Sequence, residues 1–92
     1  MDLGLTETKK YSTLLVDLGV VNNLLSNYDQ ARDYYLKALD IYKKLGLENT
    51  RNYATTLENL GSLEIDLSNY EEANDYYQEA LDIYKELSLI HI

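Results

Sequence analysis

The chain is 92 residues long, carries a formal charge of −8, and has one histidine and no cysteine. A chain of this length holds one domain with a modest core, and without thiols it forms neither disulfides nor thiolate metal sites. Sixteen carboxylates against eight cations give an acidic balance, whereas neutralising phosphates requires clustered Lys and Arg, so neither nucleic acid nor an anionic membrane is an expected partner.

Met1 to Leu5 reads as the last turn of a preceding helix, because Leu3, Gly4 and Leu5 return as Leu45, Gly46 and Leu47, where a helix is expected to end. Tyr11, Leu14, Leu15, Leu18, Val21 and Leu25 follow at spacings of three, four and seven, which puts one apolar stripe on a helix over about residues 8–25. The link Ser26-Asn27 is too short for anything but an antiparallel hairpin, and Asn27 is placed to cap the second helix through its side-chain oxygen. That helix, over about residues 28–45, lines up Ala31, Tyr35, Ala38, Tyr42 and Leu45 on one face by alternating steps of four and three. Gly46 stops it, since glycine takes the left-handed conformation without steric cost, and Thr50 starts the third helix at the position equivalent to Thr8. The third helix spans about 50–67 and the fourth about 70–89, with Asn69 and Glu72 approximating a capping box between them. No proline and no alternating strand pattern interrupts this sequence, which predicts an all-α fold.

The two hairpins are copies of one unit. Tyr11, Leu15, Leu18 and Gly19 return as Tyr53, Leu57, Leu60 and Gly61, and the run Ala38 to Lys43 returns as Ala80 to Lys85, 42 positions later. Such a period marks stacked supersecondary units, which expose long surfaces and bind other proteins far more often than they catalyse. The expected organisation is a single domain over residues 1–92, with repeat 1 at about 8–49, repeat 2 at about 50–92 and residues 1–5 left from a preceding helix. Traces of further copies at both ends, without the polar units that cap an array, predict two repeats taken from a longer solenoid, the alternative being a small natural protein derived from one.

These residues resemble the tetratricopeptide repeat. Its pattern of a large residue, then Leu-Gly, then a small Ala, an aromatic and another Ala is filled by Leu15, Leu18, Gly19, Ala31, Tyr35 and Ala38, and again by Leu57, Leu60, Gly61, Ala73, Tyr77 and Ala80. Asn22 and Glu64 stand where the family has tyrosine, and no proline ends a unit. The 42-residue period is similar to that of kinesin light chain repeats, as is the segment Tyr53 to Gly61. The resemblance implies two tandem helix-turn-helix units, four antiparallel helices in all, forming a short right-handed α-solenoid that serves as a cargo or adaptor scaffold.

The tyrosines are read as packing residues: Tyr28, Tyr35, Tyr70 and Tyr77 at core positions, and Tyr11, Tyr42, Tyr53 and Tyr84 where units meet. Tyr34 and Tyr76 fall off the stripe and are the pair left for contact with a partner. No enzyme is expected. His91 is the only histidine and lies at the chain end, and no phosphate loop, metal motif or cofactor motif appears. A leader or membrane span is not read either, since Asp17, Asn22 and Asn23 interrupt the most apolar window; a cytoplasmic location is the expectation.

The family groove, carried over position by position, is lined by Thr13, Val16, Asp17, Val20, Asn23 and Leu24 from the first unit. The second unit supplies Thr55, Glu58, Asn59, Ser62, Ile65 and Asp66. None of these is basic, so the groove suits an extended peptide carrying Lys or Arg rather than a terminal carboxylate. The alternative is a structural unit that self-associates as a homodimer or end to end through Leu81, Tyr84, Leu87, Leu89, Ile90 and Ile92.

Overall fold

The structure, a computed structural model, describes residues 2–90 and the side chains of residues 4–89. It contains α1 (Asp2–Leu24), α2 (Tyr28–Lys44), α3 (Arg51–Asp66) and α4 (Tyr70–Ile90), with no strand among the described residues. The helix α1 begins upstream of the expected start. It runs through Gly4 unbroken, and Thr8, expected to open a helix, sits within it and donates its hydroxyl to the Gly4 carbonyl at 2.8 Å. Residues 2–5 are therefore the first turn of α1. Gly46 terminates α2 by adopting φ +72°, whereas Gly4 has helix continuing after it and stays helical.

All three helix ends that lead into a turn close in one way. Asn27 N–H donates to Asn22 O at 2.8 Å and Ser26 N–H to Asn23 O at 3.0 Å; Leu47 and Gly46 repeat this with Tyr42 and Lys43, and Asn69 and Ser68 with Glu64 and Ile65. The paired bonds satisfy carbonyls that a helix end otherwise leaves open, and they require a left-handed residue. Glycine fills that place once; Ser26 at φ 64° and Ser68 at φ 62° fill it in the hairpins. Asn27 makes no cap with its side chain, and its amide donates instead to Asn22 Oδ1 at 3.3 Å. Asn69 likewise turns its amide back, to Glu64 Oε1 at 2.9 Å. Thr50 does cap, accepting from Tyr53 N–H at 3.3 Å.

Within each hairpin the glycine of the Leu-Gly pair admits a tyrosine ring. A Cβ on Gly19 would lie 2.5 Å from Tyr35 Cε1, and one on Gly61 would lie 2.8 Å from Tyr77 Cε1. Between the hairpins, α3 packs on α2, and the core cluster runs from Leu15 through Tyr35, Leu39 and Tyr42 to Tyr53, Leu57, Leu60 and Ile83. The helices α1 and α3 also touch, whereas α2 and α4 do not. The hairpins thus fan open on the α2/α4 side, which makes the α1/α3 side concave.

Equivalent residues end up in different surroundings. Tyr35 is buried and Tyr28 and Tyr77 half-buried, but Tyr70, expected in the core, is exposed, and so is Tyr11 although Tyr53 is buried. The reason is neighbours rather than sequence, since α3 covers the side of α2 turned away from α1, while no element covers the outer side of α4 or of α1. Tyr34 and Tyr76 are half-buried against the core.

Candidate functional site

On the α1/α3 side, spacings of three and four put the six groove residues carried over for each unit on one face of its helix, α1 or α3. None is buried: Val16, Asn23 and Asn59 are half-buried and the rest exposed. Their charge comes from Asp17, Glu58 and Asp66. Glu58 is held in place by α4, because Tyr84 donates its hydroxyl to Glu58 Oε1 at 2.7 Å. With that hydroxyl hydrogen committed, Thr55, 3.1 Å from the Tyr84 oxygen, is the donor to it. Desolvation pushes the Tyr84 phenol up, with Thr55 opposing and Glu58 adding to the rise. Asn23 Oδ1 is buried on this face with no hydrogen-bond partner.

The structure adds residues to this face that the carry-over omitted. A depression of about 150 Å³ at the seam between the hairpins is lined by Lys9, Thr13, Tyr42, Leu47, Thr50 and Asn52. Lys9 extends the Thr13 row by one helical turn and puts a cation at its rim; the i, i+4 spacing was the available signal, and the family positions carried over begin only at Thr13.

Sequence reasoning also missed the contact that ties the hairpins together. Glu64 is 3% exposed, and Arg32 reaches it from α2 in a bidentate pair while Asn69 donates to the same carboxylate. Hydrogen bonding from Arg32 holds the Glu64 carboxyl below the usual carboxylate range, against the opposing effect of burial. A carboxylate at a position aligned with core tyrosines was the available signal.

The residues assigned to self-association divide. Leu81 and Leu89 are exposed, Leu87 is half-buried against the core, and Tyr84 is engaged with Thr55 and Glu58. The backbone of Ile90 ends α4, while its side chain, with Ile92 and His91, lies outside the described residues.

The tetratricopeptide repeat profile matches residues 11–86, spanning both hairpins and the glycine–tyrosine contacts within them. The chain belongs to the tetratricopeptide repeat family. Comparison with curated proteins and with solved structures gave no match. Tetratricopeptide repeats generally mediate protein–protein interactions and are typically non-catalytic scaffolds, in keeping with a face made of exposed side chains over a packed core. Among the described residues no group of His, Cys, Asp or Glu is arranged to hold a metal ion, and no helix is long and apolar enough to cross a membrane.

Proposed function

We propose that this tetratricopeptide repeat chain is an adaptor module that takes an extended, Lys- or Arg-bearing segment of a partner protein across the concave α1/α3 face. The observation that supports this reading is the Tyr84–Glu58 hydrogen bond of 2.7 Å, which holds in place one carboxylate of the proposed groove, whose other carboxylates are Asp17 and Asp66. A pre-positioned carboxylate loses little side-chain freedom when a cation docks. Asn59, half-buried on the same face, supplies donor and acceptor groups for the peptide backbone. The 42-residue period supports placement beside the cargo-binding repeats of kinesin light chains, and a cytoplasmic setting agrees with that role.

Two repeats present a short groove, so binding no tighter than tens of micromolar, about −6 kcal/mol, is expected. Titration by fluorescence anisotropy with basic and acidic peptide pools at two salt concentrations tests it. Basic peptides bind and weaken with salt, and Glu58→Lys abolishes the signal; preference for acidic peptides, or a basic signal indifferent to Glu58→Lys and Asn59→Ala, refutes the reading.

A second reading, self-association, is favoured by the exposed Leu81 and Leu89 on α4.

A further inference from the structure

Residues 42 apart occupy equivalent places in this chain, so the interface between α2 and α3 has its two halves reproduced at the ends. The outer side of α4 repeats that of α2, and the outer side of α1 repeats that of α3. Inside the chain these surfaces are closed: Leu39, Tyr53 and Leu60 are 6%, 2% and 0% exposed. Their equivalents Leu81, Tyr11 and Leu18 are 46%, 56% and 44% exposed. The vacant side is shaped to receive something, since Glu58, Tyr77, Ala80, Leu81 and Tyr84 line an open depression of about 310 Å³. The corresponding Tyr35, Ala38, Leu39 and Tyr42 are the buried surface on which α3 packs.

We propose that copies of this chain associate head to tail, the outer face of α1 in one copy docking on α4 of the next in the register that α3 keeps on α2. The inference deepens the self-association reading, on which it rests, by naming both faces and their register. In that register the edge-to-face contact of Tyr42 with Tyr53, 6.5 Å between ring centres and 71° between planes, becomes Tyr84 against Tyr11 of the neighbouring copy. The site of the Arg32–Glu64 pair becomes Asn74 against Asn22. Two amides can exchange hydrogen bonds, and neither buries an unpaired charge as a lone Arg or Glu would there. The turns by which α1 and α4 outrun α3 and α2 carry exposed Leu5 and Leu89 in the same direction and extend the contact.

Charge disfavours the symmetric tail-to-tail arrangement, while the unlike faces of the α2–α3 register favour head-to-tail over head-to-head. Residues 1–46 hold six cations and six carboxylates, whereas residues 47–92 hold two cations and ten carboxylates. Head-to-tail docking sets the neutral half on the acidic half, while tail-to-tail docking would oppose two acidic halves. The contact joins two different faces, so it does not close on itself and the assembly grows with concentration. Because every copy is acidic, added salt strengthens it.

Leu14→Glu and Leu81→Glu each spoil one face at an exposed position, and circular dichroism melts verify that both variants stay folded. In sedimentation velocity up to about 1 mM, the unaltered chain grows with concentration, each variant alone is monomeric, and an equimolar mixture forms a dimer and nothing larger. Adding Asn74→Arg to the Leu14→Glu chain and Asn22→Glu to the Leu81→Glu chain rebuilds the internal ion pair across that dimer and tightens it roughly tenfold or more. An unaltered chain that stays monomeric overturns this proposal and self-association together. Dimers of either variant alone, or a mixture that remains monomeric while the unaltered chain associates, overturn head-to-tail docking only.

Discussion

Arg32 on α2 grips Glu64 on α3 with Nε 3.0 Å from Oε2 and Nη2 2.8 Å from Oε1, which makes one partly buried ion pair the polar bolt between the two hairpins. The carboxylate is almost fully enclosed, with Asn69 taking a further lone pair. Removing the cation leaves that charge buried and uncompensated, so Arg32→Ala should cost about 3 kcal/mol by chemical denaturation. The double change Arg32→Met with Glu64→Leu should recover most of the loss, since apolar replacement of a buried pair is near neutral. Equal losses in the single and double variants would refute this account.

The same pair sets an acid limit. Arg32 hydrogen bonding lowers the Glu64 carboxyl in the folded state, so the unfolded chain takes up the proton first as pH falls. Its contribution is complete above the ordinary glutamate range and disappears as the pH drops through the lowered folded value. Glu64→Gln should therefore destabilise strongly at about pH 7 and much less at about pH 3. Denaturation curves of both proteins at several pH values would expose a constant gap, which this mechanism forbids.

Alkaline pH acts on the tyrosines. Burial pushes the Tyr35 phenol up to about 12 and also raises Tyr42 and Tyr53. A phenol that stays neutral in the fold stabilises it below the unfolded value of 10.0 and loses that contribution as pH rises toward the folded value. Unfolding should thus set in between about pH 10 and 12, with the ultraviolet phenolate signal of Tyr35 appearing together with loss of helix. Full ionisation of all ten tyrosines in a still-helical chain would contradict it.

The glycine–tyrosine contacts should respond unequally to one substitution. Gly19→Ala drives a methyl group against the buried Tyr35 ring and should cost about 1–3 kcal/mol. Gly61→Ala meets Tyr77, which is half-buried with no element packed beyond it and can swing aside. There the gain of up to about 1 kcal/mol in helix propensity offsets the crowding. Likewise Tyr35→Ala should cost about 3–5 kcal/mol and Tyr77→Ala clearly less. Thermal melts of the four variants test the ordering.

Ser26 and Ser68 hold left-handed conformations that glycine adopts freely. Changing either to Gly should stabilise the chain by about 0.5–1 kcal/mol, after allowing for the greater freedom of glycine when unfolded. A loss of stability at both sites would show that the serine side chains contribute something the turn geometry does not require.

The internal period, the helical spacing within it and the Leu-Gly and Ala-Tyr-Ala landmarks determined four helices in two hairpins and the family, because these depend on local geometry that each copy repeats. Gly46 as a stop and Thr50 as a cap were legible for the same reason. Tertiary structure alone decided what became of identical residues. Tyr11 and Tyr53, or Leu39 and Leu81, share a register and differ by whether a neighbouring helix lies over them. It also decided the fate of Glu64: thirty-two residues of chain separate it from Arg32, and only the packing of α3 on α2 brings the guanidinium to the carboxylate. Burial and long-range charge pairing depend on which surfaces meet, and no repeat pattern carries that information for the copy that has no neighbour.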